Sequence, residues 1–168
     1  QRHRSLIHVA LAIVITLYSA VTIAADTWTV RVVEHKVDLP PRFRSLHGIR
    51  IAQISDVQED GRTTPKILRQ YVAKVNLLHP DIVVFAGDLV TSGTRYIHSA
   101  AEIMGGLRSR FGTIAALGDH EFFTDKTMAV DALERNGIRV IEDSTIVLDI
   151  DRTQVAISVV TYTYRQSP

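Results

Sequence analysis

Three aspartates follow three apolar stretches that have the character of buried strands. Asp56 ends the run IAQISD, Asp88 ends IVVFAGD, and Asp119 ends IAALGD. Their spacings are 32 and 31 residues, about the length of one strand followed by one helix. In open α/β sheets, ligands bind beyond the carboxyl ends of the strands, so we expect these carboxylates to converge. Carboxylates gathered at one sheet edge repel one another unless a cation compensates, so the pattern predicts a metal site.

The residues beside two of these aspartates strengthen that prediction. Gly87 precedes Asp88, Gly118 precedes Asp119, and His120 follows Asp119. Glycine lets a chain that leaves a strand turn tightly and approach a ligand closely. A single aspartate after a strand is more often a turn former or a helix cap. The repetition at three strand ends, twice with Gly-Asp and once with an adjacent histidine, favours one site over three unrelated turns.

The apolar pattern around these points predicts alternating strands and helices. Strands are predicted at 49–54, 82–86, 113–117, 138–141, 144–148 and 155–160. Helices are predicted at 64–78, 97–107 and 126–136. Thr64-Pro65 is a good start for the first helix, and Gly137 a good residue to end the third. The alternation predicts a largely parallel sheet covered by helices, and the strand-rich tail either extends this sheet or begins a second one.

The composition excludes several classes of protein. The chain has 168 residues, of which 46% are hydrophobic and 22% charged, with a formal net charge of +1. This suits one ordinary folded domain and excludes an intrinsically disordered chain. The near-neutral balance gives no reason to expect a nucleic acid as partner. Cysteine is absent, so a disulfide framework, a thiolate zinc site and a cysteine nucleophile are excluded.

The N-terminal part of the sequence predicts a membrane segment. Residues 6–25 contain no Asp, Glu, Lys or Arg. As a helix, this stretch would span about 30 Å, the thickness of the hydrocarbon core of a bilayer. We predict a transmembrane anchor at 6–25 after a flank at 1–5, with a cleaved signal sequence as the alternative. Residues 26–47 are predicted to be a linker and a first strand over Trp28–Val32, and residues 48–168 the soluble domain.

The orientation of the anchor is predicted from the charges on its two sides. Arg2 and Arg4 precede it, but basic residues also follow it, at positions 31, 36, 42 and 44. The positive-inside signal is therefore weak. Because large domains translocate largely regardless of charge, we expect a single-pass protein of the cell membrane with its domain on the extracytoplasmic side.

Three sequence blocks resemble a known family. GIRIAQISDVQ (48–58), PDIVVFAGDLV (80–90) and GTIAALGDHEFF (112–123) are similar to the first three blocks of the calcineurin-like metallophosphoesterases. The family pattern is D-x-H, then G-D, then G-N-H-[DE], each after a buried strand. The preceding membrane segment is similar to the membrane-associated bacterial branch of the family. The resemblance implies an α/β fold, a four-layer αββα sandwich, with a two-metal centre that hydrolyses phosphate mono- or diesters.

The resemblance also implies a set of metal ligands. Asp56 would bind the first metal, Asp88 would bridge both metals, and Asp119 would stand at the position of the asparagine ligand of the second. Gln58 replaces the histidine of the first block, and Asp119 replaces the asparagine of the third. The cofactors implied are two divalent ions among Mn, Mg, Fe and Zn, and the oxygen-rich substitutions favour Mg, Mn or Ca over Zn. The same substitutions leave open a weakened or lost first metal.

The catalytic residues implied are His120 and Glu121. His120 would stabilise the transition state or protonate the leaving group, and Glu121 would orient His120. The later histidine blocks of the family, including G-H-x-H, have no counterpart after His120. The sequence is therefore interpreted as the N-terminal portion of such a domain or as a shortened relative.

Two functions stay open at this point. The first is a membrane-anchored, metal-dependent phosphoesterase whose partners are the bilayer and a phosphate ester. A lipid-derived ester is one candidate, because the anchor holds the site near the bilayer. The second is a non-catalytic, membrane-tethered binding module that keeps the fold with a degenerate metal site.

Overall fold

The computed structural model describes residues 2–161 of the chain, which separates into two compact units, Gln1–Asp38 and Leu39–Pro168. The first unit is dominated by helix α1, Arg2–Trp28, whose 27 residues give a length of about 40 Å. Its stretch Leu6–Ile23 has a mean hydropathy of 2.3. The large apolar side chains of this stretch are exposed, with Leu17 at 61%. By length and composition, α1 can therefore cross a membrane.

Two threonine hydroxyl groups of α1 are bonded within the helix. Thr16 Oγ1 donates to the Ala12 carbonyl at 2.8 Å, and Thr22 Oγ1 donates to the Tyr18 carbonyl at 2.9 Å. A hydroxyl that bonds the carbonyl four residues earlier no longer needs water as a partner. These two polar side chains are thus compatible with an apolar environment.

The predicted strand over Trp28–Val32 is wrong. Helix α1 continues to Trp28, and residues 29–40 have neither helical nor strand structure. Alternating residue types form a strand only where a second strand is available to bond the backbone. None of the described strands pairs with this stretch, so the alternation is not enough to form one.

The second unit is built on a four-stranded parallel sheet. Its strands are β1 (Ile51–Ile54), β2 (Ile82–Phe85), β3 (Thr113–Ala115) and β4 (Ile138–Val140), in the spatial order β1-β2-β3-β4. The register pairs Ile54 with Phe85 and Phe85 with Ala115. The first three strands therefore end at the same edge of the sheet, as the spacing of the aspartates predicts.

Two further layers cover the sheet. On one face lie the helices α2 (Pro65–Leu77), α3 (Ile97–Met104) and α5 (Lys126–Arg135). Phe85 and Ala115 point into this core, together with Leu68 of α2 and Leu133 of α5. On the other face lies the antiparallel hairpin of β5 (Ser144–Ile150) and β6 (Thr153–Val159). Ile82, Ile114, Ile146 and Val159 form the second core.

The predicted α/β fold with a parallel sheet is confirmed. The C-terminal strands fulfil both alternatives that the sequence left open. Strand β4 extends the parallel sheet, and β5 and β6 form a second sheet. Residues 39–161 thus form three layers in the order helix, sheet, sheet, which agree with three layers of the implied αββα sandwich. Gly137 has a φ of 77° directly after α5, the left-handed conformation expected of a glycine that ends a helix.

A fourth helix of this unit, α4 (Asp119–Thr124), is absent from the predictions. It begins at the third aspartate, immediately after β3. Its first residues therefore lie at the carboxyl edge of the sheet, beside the turns that follow β1 and β2.

Candidate metal centre

The turns after β1 and β2 bond to each other through their backbones. The N–H of Asp56 donates to the Gly87 carbonyl at 3.1 Å, and the N–H of Gln58 donates to the Asp88 carbonyl at 3.0 Å. Asp56, Gln58 and Asp88 have φ angles of 53°, 42° and 61°. Such left-handed conformations are uncommon outside glycine, cost about 1–3 kcal/mol each and cluster at functional sites. The fold thus holds the two turns side by side in strained conformations.

Gly87 and Gly118 allow the turns after β2 and β3 to approach each other. A Cβ atom on Gly87 would lie 2.2 Å from the nitrogen of Gly118, and one on Gly118 would lie 2.1 Å from Oδ1 of Asp88. Neither position can hold a side chain without displacing the backbone. The close approach expected of these glycines therefore takes place, and it brings the two turns against each other.

Three candidate ligands meet where these turns converge. Asp88, Asp119 and His120 are each half-buried, and each offers a donor atom within 4.8 Å of the others. The N–H of His120 also donates to Oδ1 of Asp88 at 3.3 Å. The two carboxylates offer oxygen donors that divalent cations accept, and an imidazole beside them can serve either as a further ligand or in proton transfer. The residues present fit a metal ion.

The surroundings of Asp88 disfavour its ionised form. The pKa of Asp88 is raised to about 6, mainly by burial and also by the charge of Glu121 and a hydrogen bond with the carboxyl of Asp56, while the N–H of His120 opposes the shift. The carboxyl groups of Asp56 and Asp88 thus interact with each other. A divalent cation would remove the cost of ionising Asp88, because its charge compensates the clustered carboxylates.

Gln58 meets the site through its backbone. Its N–H bonds the Asp88 carbonyl, and its own carbonyl accepts the Thr91 hydroxyl at 3.3 Å. The residue is half-buried, whereas Asp56 is exposed. The structure therefore brings both first-block residues to the same sheet edge as Asp88.

Glu121 has partners that the sequence did not predict. Its side chain is 1% exposed, and its two oxygens accept three backbone N–H groups. The donors are Leu89 at 2.6 Å, Gly118 at 2.7 Å and Asp88 at 3.0 Å. A carboxylate that accepts several backbone N–H bonds is stabilised in its ionised form. Glu121 therefore fastens the turn after β2 to the turn after β3.

The ring of His120 is held by another group. Its Nδ1 lies 2.5 Å from the backbone carbonyl of Thr91. The expectation that Glu121 orients His120 is corrected by these contacts. Glu121 is the third residue of α4, and from that position its side chain reaches back to the N–H before the helix, as in a capping box.

Sequence reasoning missed Thr91 and the helix α4. The helix has a signal, because Gly118 followed three residues later by Glu121 is half of the capping-box pattern. Thr91 carries no comparable signal, since its role depends on a backbone carbonyl that every residue has.

Comparison with known proteins identifies the family. Residues 49–156, more than half of the chain, match the model of the calcineurin-like phosphoesterases. The chain belongs to the calcineurin-like phosphoesterase family. This membership confirms the resemblance carried by the three blocks, and the donor set formed by Asp88, Asp119 and His120 is in keeping with the divalent metals that members of this family typically bind.

Several named members of the family are similar to this chain. A transmembrane protein with metallophosphoesterase domain from Danio rerio is 32% identical over 68% of this chain and 26% of its own length. The UDP-2,3-diacylglucosamine pyrophosphatase LpxG of Chlamydia trachomatis is 35% identical over 56% of this chain and 29% of its own. The metallophosphoesterase Cj0846 of Campylobacter jejuni is 27% identical over 73% and 32%. The chain thus spans about a quarter to a third of the length of these relatives.

Proposed function

We propose that this member of the family is a membrane-anchored, metal-dependent phosphoesterase that hydrolyses phosphate mono- or diesters at a dinuclear metal centre. The observation that carries the proposal is the meeting of Asp88, Asp119 and His120 within 4.8 Å at the carboxyl edge of the sheet. The contact between Asp56 and Asp88 adds a further carboxylate to the same place.

The proposed metal ligands are Asp56, Gln58, Asp88 and Asp119. Asp88 is the candidate for a bridging ligand, because it is the one that contacts both Asp56 and the N–H of His120. When bound, divalent ions supply Lewis-acid stabilisation of the charge on the phosphate and an acidified water. The oxygen-rich donor set favours Mg or Mn among the ions that we consider, which also include Fe and Zn.

His120 is the proposed proton donor. A carbonyl oxygen can only accept a hydrogen bond, so the contact with Thr91 assigns a proton to Nδ1 of the ring. In the cationic ring, Nε2 carries the second proton and gives it to the leaving oxygen of the ester, which leaves a neutral ring with its proton on Nδ1. Glu121 acts at a distance from this step, by holding the turns of Asp88 and Gly118 together.

The membrane proposal rests on α1 and on the relatives. We infer a single-pass protein of the cell membrane, with the domain on the extracytoplasmic side. The apolar stretch Leu6–Ile23 and a relative named as a transmembrane protein support membrane association. LpxG is named as a pyrophosphatase of UDP-2,3-diacylglucosamine, which makes a lipid-derived phosphate ester our first candidate for the substrate.

The test compares turnover in three forms of the full-length protein. Bis-p-nitrophenyl phosphate is supplied with Mn²⁺ or Mg²⁺ to the wild type, to Asp88→Asn and to the control Asp149→Asn. Asn tolerates the left-handed backbone of position 88, so the first variant keeps the fold. Asp149 is an exposed residue of β5, remote from the site.

We expect turnover in the wild type and in Asp149→Asn, and its loss in Asp88→Asn. A folded wild-type protein without metal and without turnover would instead favour the non-catalytic binding module.

A further inference from the structure

Thr91 connects His120 to the loop that follows β1. Its carbonyl lies 2.5 Å from Nδ1 of His120. Its hydroxyl donates to Oδ2 of Asp60 at 3.1 Å and to the carbonyl of Gln58 at 3.3 Å. Because one hydroxyl has one proton, these two acceptors share it. A single residue thus contacts the proposed proton donor with its backbone and the first-block loop with its side chain.

The carboxylate of Asp60, which accepts this hydroxyl, is itself held in place by backbone hydrogen bonds. Its Oδ1 accepts the N–H groups of Arg62 at 2.5 Å and of Thr63 at 2.7 Å. These backbone hydrogen bonds, first among several causes, hold the pKa of the Asp60 carboxyl below its usual value. Its second oxygen is therefore a charged acceptor for Thr91, and hydrogen bonds to a charged group are stronger than neutral ones.

The backbone of Thr91 has a weaker anchor. Its N–H lies 3.4 Å from the Glu59 carbonyl, a long distance for a hydrogen bond of this kind. Gly93, two residues later, has a φ of 87°, a conformation open mainly to glycine. Among the hydrogen bonds that Thr91 itself donates, those of the hydroxyl group, at 3.1 and 3.3 Å, are therefore the shorter ones.

We propose that the Thr91 hydroxyl is the positioning group of His120. By tying residue 91 to Asp60 and Gln58, it fixes the carbonyl that accepts Nδ1–H of the imidazole ring. Nε2–H of the cationic ring then faces the leaving oxygen of the ester, and the neutral ring left after proton transfer keeps its proton on Nδ1. This inference rests on the proposed function for its catalytic consequence. Its structural part, the selected tautomer of His120, can be measured whether or not the protein turns over an ester.

The experiment uses two variants at position 91 and one control. Thr91→Val keeps the shape of the side chain and removes the hydroxyl, whereas Thr91→Ser keeps the hydroxyl. Thr145→Val is the matched control, because it removes an exposed hydroxyl of the β5–β6 hairpin that bonds Ser158 at 2.9 Å and not a residue of the site. Each form of the full-length protein is assayed with methyl p-nitrophenyl phosphate and with methyl phenyl phosphate.

The two esters distinguish a specific loss of proton donation by His120 from a general loss of activity. The p-nitrophenolate group leaves readily without a proton, whereas the more basic phenolate depends on the donor. A positioned general acid contributes about 10²–10⁴-fold, so we expect Thr91→Val to lower kcat by at least about 10-fold for the phenyl ester and by less than about 3-fold for the p-nitrophenyl ester. Thr91→Ser and Thr145→Val should behave as the wild type with both. An equal loss on both esters, or no loss on either, would overturn the inference.

Nitrogen-15 spectra of the His120 ring provide the second readout. In spectra of the neutral ring, the wild type and Thr91→Ser should show the proton on Nδ1, and Thr91→Val should show a mixture of tautomers. A wild type that hydrolyses neither ester would contradict the proposed function, while these spectra would still decide the inference. An unchanged tautomer in Thr91→Val contradicts the role of the hydroxyl.

Discussion

Replacement of Glu121 by glutamine should destabilise the domain at the turns that follow β2 and β3. The carboxylate accepts the N–H of Leu89 at one oxygen and the N–H groups of Asp88 and Gly118 at the other. Glutamine has one oxygen, so its best orientation keeps the latter pair and turns its NH₂ group towards the N–H of Leu89. The variant therefore leaves two buried donor groups without an acceptor, the N–H of Leu89 and the NH₂ of the new glutamine, and removes the charge from two remaining bonds.

The size of the effect follows from these contacts. A buried donor without a partner costs about 1–3 kcal/mol, and a hydrogen bond loses roughly 1 kcal/mol when its acceptor becomes neutral. We expect the free energy of unfolding to fall by about 4–8 kcal/mol, against a total of about 5–15 kcal/mol for an ordinary domain. Removal of the Glu121 charge also lowers the pKa of Asp88 towards its usual value. This gain is partial, because burial is the larger cause of the raised pKa.

The assay is chemical unfolding followed by circular dichroism, together with amide hydrogen exchange. Glu102→Gln, at an exposed position of α3, is the control. We expect faster exchange at the amide of Leu89 in Glu121→Gln and wild-type behaviour in the control. The reasoning is refuted if Glu121→Gln unfolds within about 0.5 kcal/mol of the wild type, the range of ordinary surface substitutions.

Three further outcomes follow from the site. Gly118→Ala should abolish metal binding in a titration with Mn²⁺, since its Cβ would lie 2.1 Å from Oδ1 of Asp88, whereas Gly61→Ala, whose Cβ would meet only Tyr96 Oη at 3.9 Å, should bind as the wild type. Gln58→His should raise the affinity for Zn²⁺ relative to Mg²⁺, because imidazole suits zinc better than an amide oxygen. If competition titrations gave the variant the same ratio of Zn²⁺ to Mg²⁺ affinity as the wild type, residue 58 would not be a metal ligand. The stability of the metal-free protein should fall as the pH rises from about 4 to about 6, because the pKa of Asp88 is raised from 3.8 to about 6 and ionisation of Asp88 is disfavoured in the folded state. In unfolding curves measured across pH, Asp88→Asn should remove that part of the pH dependence.

Much of the fold could be predicted, because the periodicity of the apolar residues and the residue types at the ends of the elements indicate where strands and helices lie. The run Ile82–Phe85 is apolar on both faces, as a central parallel strand must be, and the structure buries Ile82 and Phe85 in different cores. The helix α5 also has both its periodic apolar positions and a terminal glycine. In each case a local pattern and the tertiary packing require the same structure.

The failures have physical reasons as well. The helix α4 has six residues, too few for a 3.6-residue period to be recognised. The alternation at Trp28–Val32 lacks a partner strand among those described. The partners of Glu121 and His120 are backbone atoms, and no side-chain type at Leu89 or Thr91 signals that a carboxylate or an imidazole will lie there.

The most direct test of the account is the metal content of the full-length protein, measured by mass spectrometry after loading with Mn²⁺ and removal of free ions. The account predicts two ions per chain in the wild type and a loss of both in Asp88→Asn, because this carboxylate would serve both ions. A wild-type protein that retains no metal, or an Asp88→Asn variant that retains the full amount, would contradict the claim that the carboxyl edge of this sheet is a metal centre.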